Sequence, residues 1–204
     1  MIVNGFSEKD FETFMIPSLP ERMAAIETRI RPQFRSIGKE LTDQLSMELN
    51  QEMFLHIAKH ARRTVNPPQD TWLAIANNKR GYKKHPHFQV GLFDDHLFIW
   101  LAFIYELPNK AQIASTFMQH PEIFNDLPKD FVVSLDHTKK DATPLATMDQ
   151  EAALRRFRDI KKAEFLIGRH IPKGSSIVED GPALLAYISA TMDELVPLYQ
   201  LAYQ

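Results

Sequence analysis

The chain has 204 residues, 44% of them hydrophobic and 25% charged, with 7 glycines, 13 prolines and no cysteine. This composition excludes collagen-like, low-complexity and disordered classes, and the missing cysteine excludes thiolate metal sites, cysteine nucleophiles and disulfides. The formal net charge of -2 carries no global signature of polyanion binding, and the length predicts one domain, 1–204, able to bury its own core.

Segment 1–6 has no basic stretch followed by an apolar one, and no lipidation pattern is present. The longest apolar run, Leu97 to Tyr105, is far short of the about 20 residues a spanning helix needs. These features predict a cytoplasmic protein with no membrane partner.

The N-terminal part reads as helical. Ser7 with Asp10 resembles a capping box ahead of Phe11, Phe14 and Met15. Ser18 with Glu21 opens a second helix carrying Met23, Ile26 and Ile30, which Pro32 is expected to kink or end. Phe34, Ile37, Leu41, Leu45 and Leu49 continue the helical period.

From Met53 the pattern changes to short β-branched and aromatic runs. Phe54–His60, Trp72–Ala76, Phe88–Phe93 and Leu97–Tyr105 read as strands, with Asp94-Asp95 turning between the last two. The unbroken apolar character of Leu97–Tyr105 predicts a central strand covered on both faces.

Asn109 with Gln112 then starts a helix that ends at Pro121, and Phe131–Leu135 is a fifth strand. Thr147 with Gln150 caps a helix bearing Leu154 and Phe157, Glu164–Ile171 is a sixth strand, and Asp180-Gly181-Pro182 opens a last helix that Pro197 kinks. The expected class is α+β: a single domain with a mostly antiparallel sheet of about six strands flanked by helices.

The charge is unevenly distributed. Residues 53–87 carry seven basic groups and one acidic group, and residues 152–173 carry seven and two. The first segment places Arg62 and Arg63 after one strand and Lys79, Arg80, Lys83 and Lys84 in the loop before another, with Trp72 and Tyr82 nearby. Guanidinium forks bind phosphate and aromatic rings stack on bases. In the second segment Arg155, Arg158 and Lys162 share one helical face opposite Phe157. The ordinary alternative is solvated surface, neutralised by the acidic segments.

The remaining motifs are weaker. His56 and His60 lie too far apart on a strand to share an ion. His85 and His87 have a metal-like spacing, but Pro86 intervenes and no carboxylate follows closely. Asp94, Asp95 and His96 read as a turn, and Asp136 with His137 as a polar strand exit that is also a candidate base with its orienter. No nucleophile elbow, Walker loop or dinucleotide glycine motif is present. No metal site and no cofactor are expected.

The central block is more specific. Ala-Lys-His-Ala-Arg-Arg-Thr-Val-Asn at 58–66 continues as Pro67-Pro68 and Asp70-Thr71-Trp72. Lys79-Arg80-Gly81-Tyr82-Lys83 and His87-Phe88-Gln89-Val90-Gly91-Leu92 follow. This run resembles the YktB-like family of uncharacterised bacterial proteins, found mainly in low-GC Gram-positive organisms. The similarity extends over nearly the whole chain, including Gly5-Phe6 and the closing helix. The resemblance implies a compact α+β domain and a cytoplasmic protein, and it implies no activity.

Three functional readings stay open. The leading one is a non-enzymatic binding protein for a phosphate-containing ligand, nucleotide or nucleic acid. Its contacts would come from Arg62, Arg63, Lys79, Arg80, Lys83, Lys84, Tyr82, Trp72, His60 and His87 on a basic sheet edge and loop. The second is an enzyme acting on a small anionic substrate, with His60, His87, Asp136 and His137 as acid–base groups; a pocket joining one of these histidines to Arg62 or Arg63 would favour it. The third is a protein–protein interaction module.

Overall fold

The computed structural model describes residues 3–204, so the first two residues of the 1–6 segment lie outside the described residues. Ser7 and Asp10 form the expected capping box at the head of α1, Glu8–Glu12. Ser18 accepts the Glu21 N–H at the head of α2, Leu19–Ala25. Pro32 neither ends nor breaks the helical run. One π-helical turn, Ile26–Ile30, precedes it, and the proline falls at the second position of α3, Arg31–Glu48, where the widened turn accommodates its ring and missing N–H. Phe34, Ile37, Leu41 and Leu45 are fully buried on the inner side of α3.

Four strands follow as an antiparallel meander: β1, Phe54–Ile57; β2, Thr71–Ala76; β3, His87–Leu92; and β4, His96–Phe103. The chain continues through α4, Lys110–Gln119, and α5, Glu122–Asn125, to β5, Val132–Ser134, and β6, Thr143–Pro144. Then come α6, Gln150–Asp159; β7, Phe165–Pro172; α7, Ser176–Glu179; and α8, Gly181–Leu201, which runs through Pro197.

Two local expectations are corrected. Asp149, not Thr147, caps α6, because its carboxylate accepts the Ala152 N–H at 2.9 Å. Lys162 lies beyond the end of α6, so it shares no helical face with Arg155 and Arg158.

The seven strands form one open antiparallel sheet in the order β1-β2-β3-β4-β7-β5-β6. The six expected strands are all present, and β6 is the addition. β4 lies in the middle and is buried at all eight positions, as an apolar strand paired on both edges should be. The fold is α+β.

Strand register sorts the residues onto two unlike faces. One carries Leu73, Ile75, Phe88, Val90, Ile99, Leu101 and Ile167. It forms the main core with α3, α4, α6 and α8. The other carries a smaller apolar cluster around Phe98, Trp100 and Leu166, but also His56, His87, Gln89 and His170 at cross-strand positions. The helices cover the first face. Side chains from the loops at 58–70, 77–86 and 135–142 pack on the second.

Candidate functional site

The second face is where polar side chains collect. His87 is fully buried; its Nδ1 donates to the His85 carbonyl at 2.7 Å, and its Nε2 accepts from the Gln89 amide at 2.8 Å. That pairing fixes a neutral imidazole, and burial pushes its pKa down to about 3. The Tyr82 ring packs on His87 at 4.8 Å and on His56 at 5.5 Å. Its hydroxyl accepts the indole N–H of Trp72 at 3.1 Å. Trp72 in turn takes the edges of His60 at 5.5 Å and His137 at 6.1 Å.

Two adjoining cavities open above this layer. The larger, about 780 Å³, lies between the end of β1 and the loop at 78–85 and includes Lys59, Arg80, Lys83, Lys84, His56 and His85 in its wall. The smaller, about 390 Å³, is bounded by Lys59, His60, Arg62, Arg63, Trp72 and Glu106 among others. Ala58, Lys59, Tyr82 and Lys83 line both. Six cationic side chains thus face one cleft, opposed by Glu106 alone. Lys83 holds Glu106 at 3.3 Å, and none of the other five forms an ion pair among the described residues.

The residues singled out from the sequence divide accordingly. Arg62, Arg63, Arg80, Lys83, Lys84, Tyr82, Trp72 and His60 line the cleft. Lys79 is exposed but lines neither cavity. His87 lies beneath Tyr82, closed to solvent, so it supports the floor rather than touching anything in the cleft. Lys59, Glu106 and His56, the last weighed only as a metal ligand, complete the wall. Lys59 alone had a signal, as part of the basic run.

His60 has an unusual backbone, with φ at 51°, a conformation non-glycine residues rarely adopt. Its Nε2 pairs with Thr71 Oγ1 at 3.1 Å. Burial, then the charges of Arg63 and Arg31, depress its pKa to about 4.

Three of the seven basic residues of the second segment are paired with carboxylates. Arg155 pairs with Glu151, and Arg158 with Asp159. Arg169 is buried against Asp130 and Glu194. Phe157 of α6 enters the main core, so that helix lies on the face opposite the cleft.

Beyond Trp72 lies an acidic group that the sequence reading assembled only in part. His137 Nδ1 lies 2.7 and 2.9 Å from the two oxygens of Glu164, and the His137 backbone N–H donates to the same carboxylate at 2.9 Å. Asp136 Oδ1 accepts from the N–H and hydroxyl of Thr138 at 3.0 and 2.7 Å. Asp70, 6% exposed, has its pKa raised to about 6 by burial, partly offset by His137 and Arg63. Burial lowers the His137 pKa, but hydrogen bonding and the charge of Glu164 outweigh it, so the net shift is upward.

Comparison with known proteins matches residues 6–199 to a family described as a domain of unknown function, DUF1054. The chain is 62% identical over 203 residues to a UPF0637 protein of Shouchella clausii, covering 99% of this chain and 96% of the relative. It is 62% identical over 200 residues to one from Oceanobacillus iheyensis, covering 98% and 97%. A UPF0637 protein of Listeria monocytogenes serotype 4b is 52% identical over 204 residues, the full length of both.

Proposed function

The chain belongs to the DUF1054 family, and from the geometry of its cleft we propose that it is a non-enzymatic binding protein for a phosphate-bearing ligand of nucleotide size. The observation that carries this reading is the gathering of Lys59, Arg62, Arg63, Arg80, Lys83 and Lys84 around two adjoining recesses that share Lys59 and Lys83, with Glu106 as the single opposing carboxylate. Like charges held together raise the free energy of the empty protein, and a bound phosphate relieves it. Arginine forks take phosphate oxygens in pairs, whereas lysines act as point charges. The larger recess, about 780 Å³, falls within the about 300–1,000 Å³ of small-molecule sites. Tyr82 lines both recesses and Trp72 the smaller one, so a base or another flat group can lie against them where the two adjoin.

The test is calorimetric titration of the protein with ATP, inorganic phosphate and a single-stranded oligonucleotide at several salt concentrations. The expected result is saturable nucleotide binding that weakens with salt and falls at least tenfold in Lys83→Glu/Lys84→Glu. Absence of binding to all three at low salt overturns the proposal. Oligonucleotide binding with a steep salt slope and no nucleotide binding would replace the small ligand with a strand.

A second reading, hydrolysis or transfer on a small anionic substrate, is favoured by one observation: His60 shares its cavity with Arg62 and Arg63. A neutral imidazole beside two guanidiniums is a general-base arrangement. Turnover of phosphate esters that disappears in His60→Gln would support it.

A further inference from the structure

We propose that Asp136, His137 and Glu164 form a binding site for a divalent transition-metal ion, with Asp70 as a supporting carboxylate. Asp136, His137 and Glu164 each offer a ligand atom, and these atoms lie within 4.8 Å of one another. They come together because β5 pairs with β7: Ser134 is opposite Leu166, which brings the strand exit at 136–137 beside Glu164.

The carboxylates are already oriented. Thr138 holds one oxygen of Asp136 through two hydrogen bonds. The backbone N–H groups of Tyr105 and His137 hold the two oxygens of Glu164, at 3.5 and 2.9 Å. Such outer hydrogen bonds fix ligand geometry before the ion arrives.

The second observation is charge. Asp70 and Glu164 are 6% and 3% exposed, Asp136 lies beside Glu164, and the charge of Asp70 acts on His137. Three carboxylates face one imidazole. Among the described residues no other residue donates a hydrogen bond to the carboxylate of Asp70. Arg63 and Lys139 act on the group only at a distance, since neither forms an ion pair. A buried carboxylate held only by its own backbone N–H is costly, and a bound divalent cation supplies positive charge beside it. One imidazole with oxygen ligands suits zinc, manganese or ferrous iron, whereas magnesium and calcium prefer oxygen alone. This site stands on residues outside the basic cleft and does not depend on the ligand proposed there.

The experiment is calorimetry on chelator-treated, full-length protein titrated with Zn²⁺, Mn²⁺ and Mg²⁺, with melting temperature followed in parallel. The expected result is one equivalent of Zn²⁺ or Mn²⁺ bound far more tightly than Mg²⁺, with a raised melting temperature. Asp136→Asn leaves the His137–Glu164 contact intact, so the variant folds; it is expected to bind at least tenfold more weakly. His137→Gln is expected to lose the site. The proposal is overturned if wild type binds no transition metal at tenfold excess. It is also overturned if both variants bind like wild type, which would assign the ion to other surface histidines.

Discussion

The indole N–H of Trp72 donates to the hydroxyl of Tyr82 across 3.1 Å, tying the second strand of the sheet to the loop that forms one wall of the basic cleft. The loop is otherwise tethered by Lys83 to Glu106 and by the Tyr82 ring on His56 and His87. Tyr82→Phe removes the acceptor and keeps the ring. The expected outcome is a loss of about 1 kcal/mol in denaturant unfolding. Ligand affinity should fall further than that stability change explains, because the loop that carries Arg80, Lys83 and Lys84 is freed.

The two basic segments should behave differently under charge reversal. Arg62→Glu/Arg63→Glu is expected to reduce nucleotide affinity at least tenfold. Arg155→Glu/Arg158→Glu, on the helix-covered side, should leave it within twofold while disturbing only exposed surface ion pairs. Equal effects from both pairs, read by the same titration, would remove the cleft from the binding reaction.

Acid should unfold the protein early. His60, His87 and His170 have pKa values of about 4, about 3 and about 3 against an ordinary 6.5, chiefly because burial disfavours their charged forms. The unfolded chain therefore takes up protons near pH 6.5 that the folded chain refuses. Stability is fully present above that pH and falls as pH drops through it, by about 1.4 kcal/mol per pH unit for each fully titrating group. Unfolding free energy measured from pH 8 to pH 4 should decline below pH 6.5, opposed in part by Asp70, whose pKa raised to about 6 makes the folded chain take up a proton first, and His87→Gln should make the decline shallower.

Glycine substitutions separate tight from tolerant positions. A Cβ on Gly168 would stand 1.9 Å from the Ile99 carbonyl oxygen, at the place where the seventh strand is held between the fourth and fifth. Backbone cannot yield there, so Gly168→Ala is expected to cost about 3 kcal/mol or more. At Gly38 the nearest atom is Leu55 Cδ1, a movable methyl at 2.5 Å. Gly38→Ala also gains about 1 kcal/mol of helix propensity and should lie within about 1 kcal/mol of wild type. Urea titrations distinguish the two.

Arg169 lies on the core side of the sheet, paired with two carboxylates. It donates twice to Asp130, at 2.7 and 3.0 Å, and once each to Glu194 and Thr191, with Phe131 under the guanidinium at 4.4 Å. Arg169→Lys keeps the charge but not the fork. Both Arg169→Lys and Arg169→Met should lose about 2–3 kcal/mol, with little rescue by lysine.

The elements read from the sequence are those whose signal is local. Strong alternation or unbroken apolar runs mark six strands, and side-chain caps mark α1, α2 and α8. Thr143–Pro144 escapes because two exposed residues, one of them proline, carry no strand pattern. The widened turn before Pro32 escapes because a proline signals a break without saying how the chain absorbs it. The basic cleft was legible for the same local reason: residues 59–84 are close in sequence and meet across one hairpin. The grouping of Asp70 and Glu164 with Asp136 and His137 was not, since it arises only when β5 pairs with β7 and the 135–142 loop crosses toward Trp72.

The strand order also governs how the chain is made. His96 pairs with Pro172 and Phe103 with Phe165, so the central strand waits for a partner synthesised roughly sixty to seventy residues later. At the about 5–20 residues per second of translation, one edge of an eight-residue strand that is apolar after His96 stays open for roughly 3–15 seconds while the meander before it is already able to close. Chains truncated before Phe165 keep that edge open permanently, and an unpaired apolar edge is a template for aggregation.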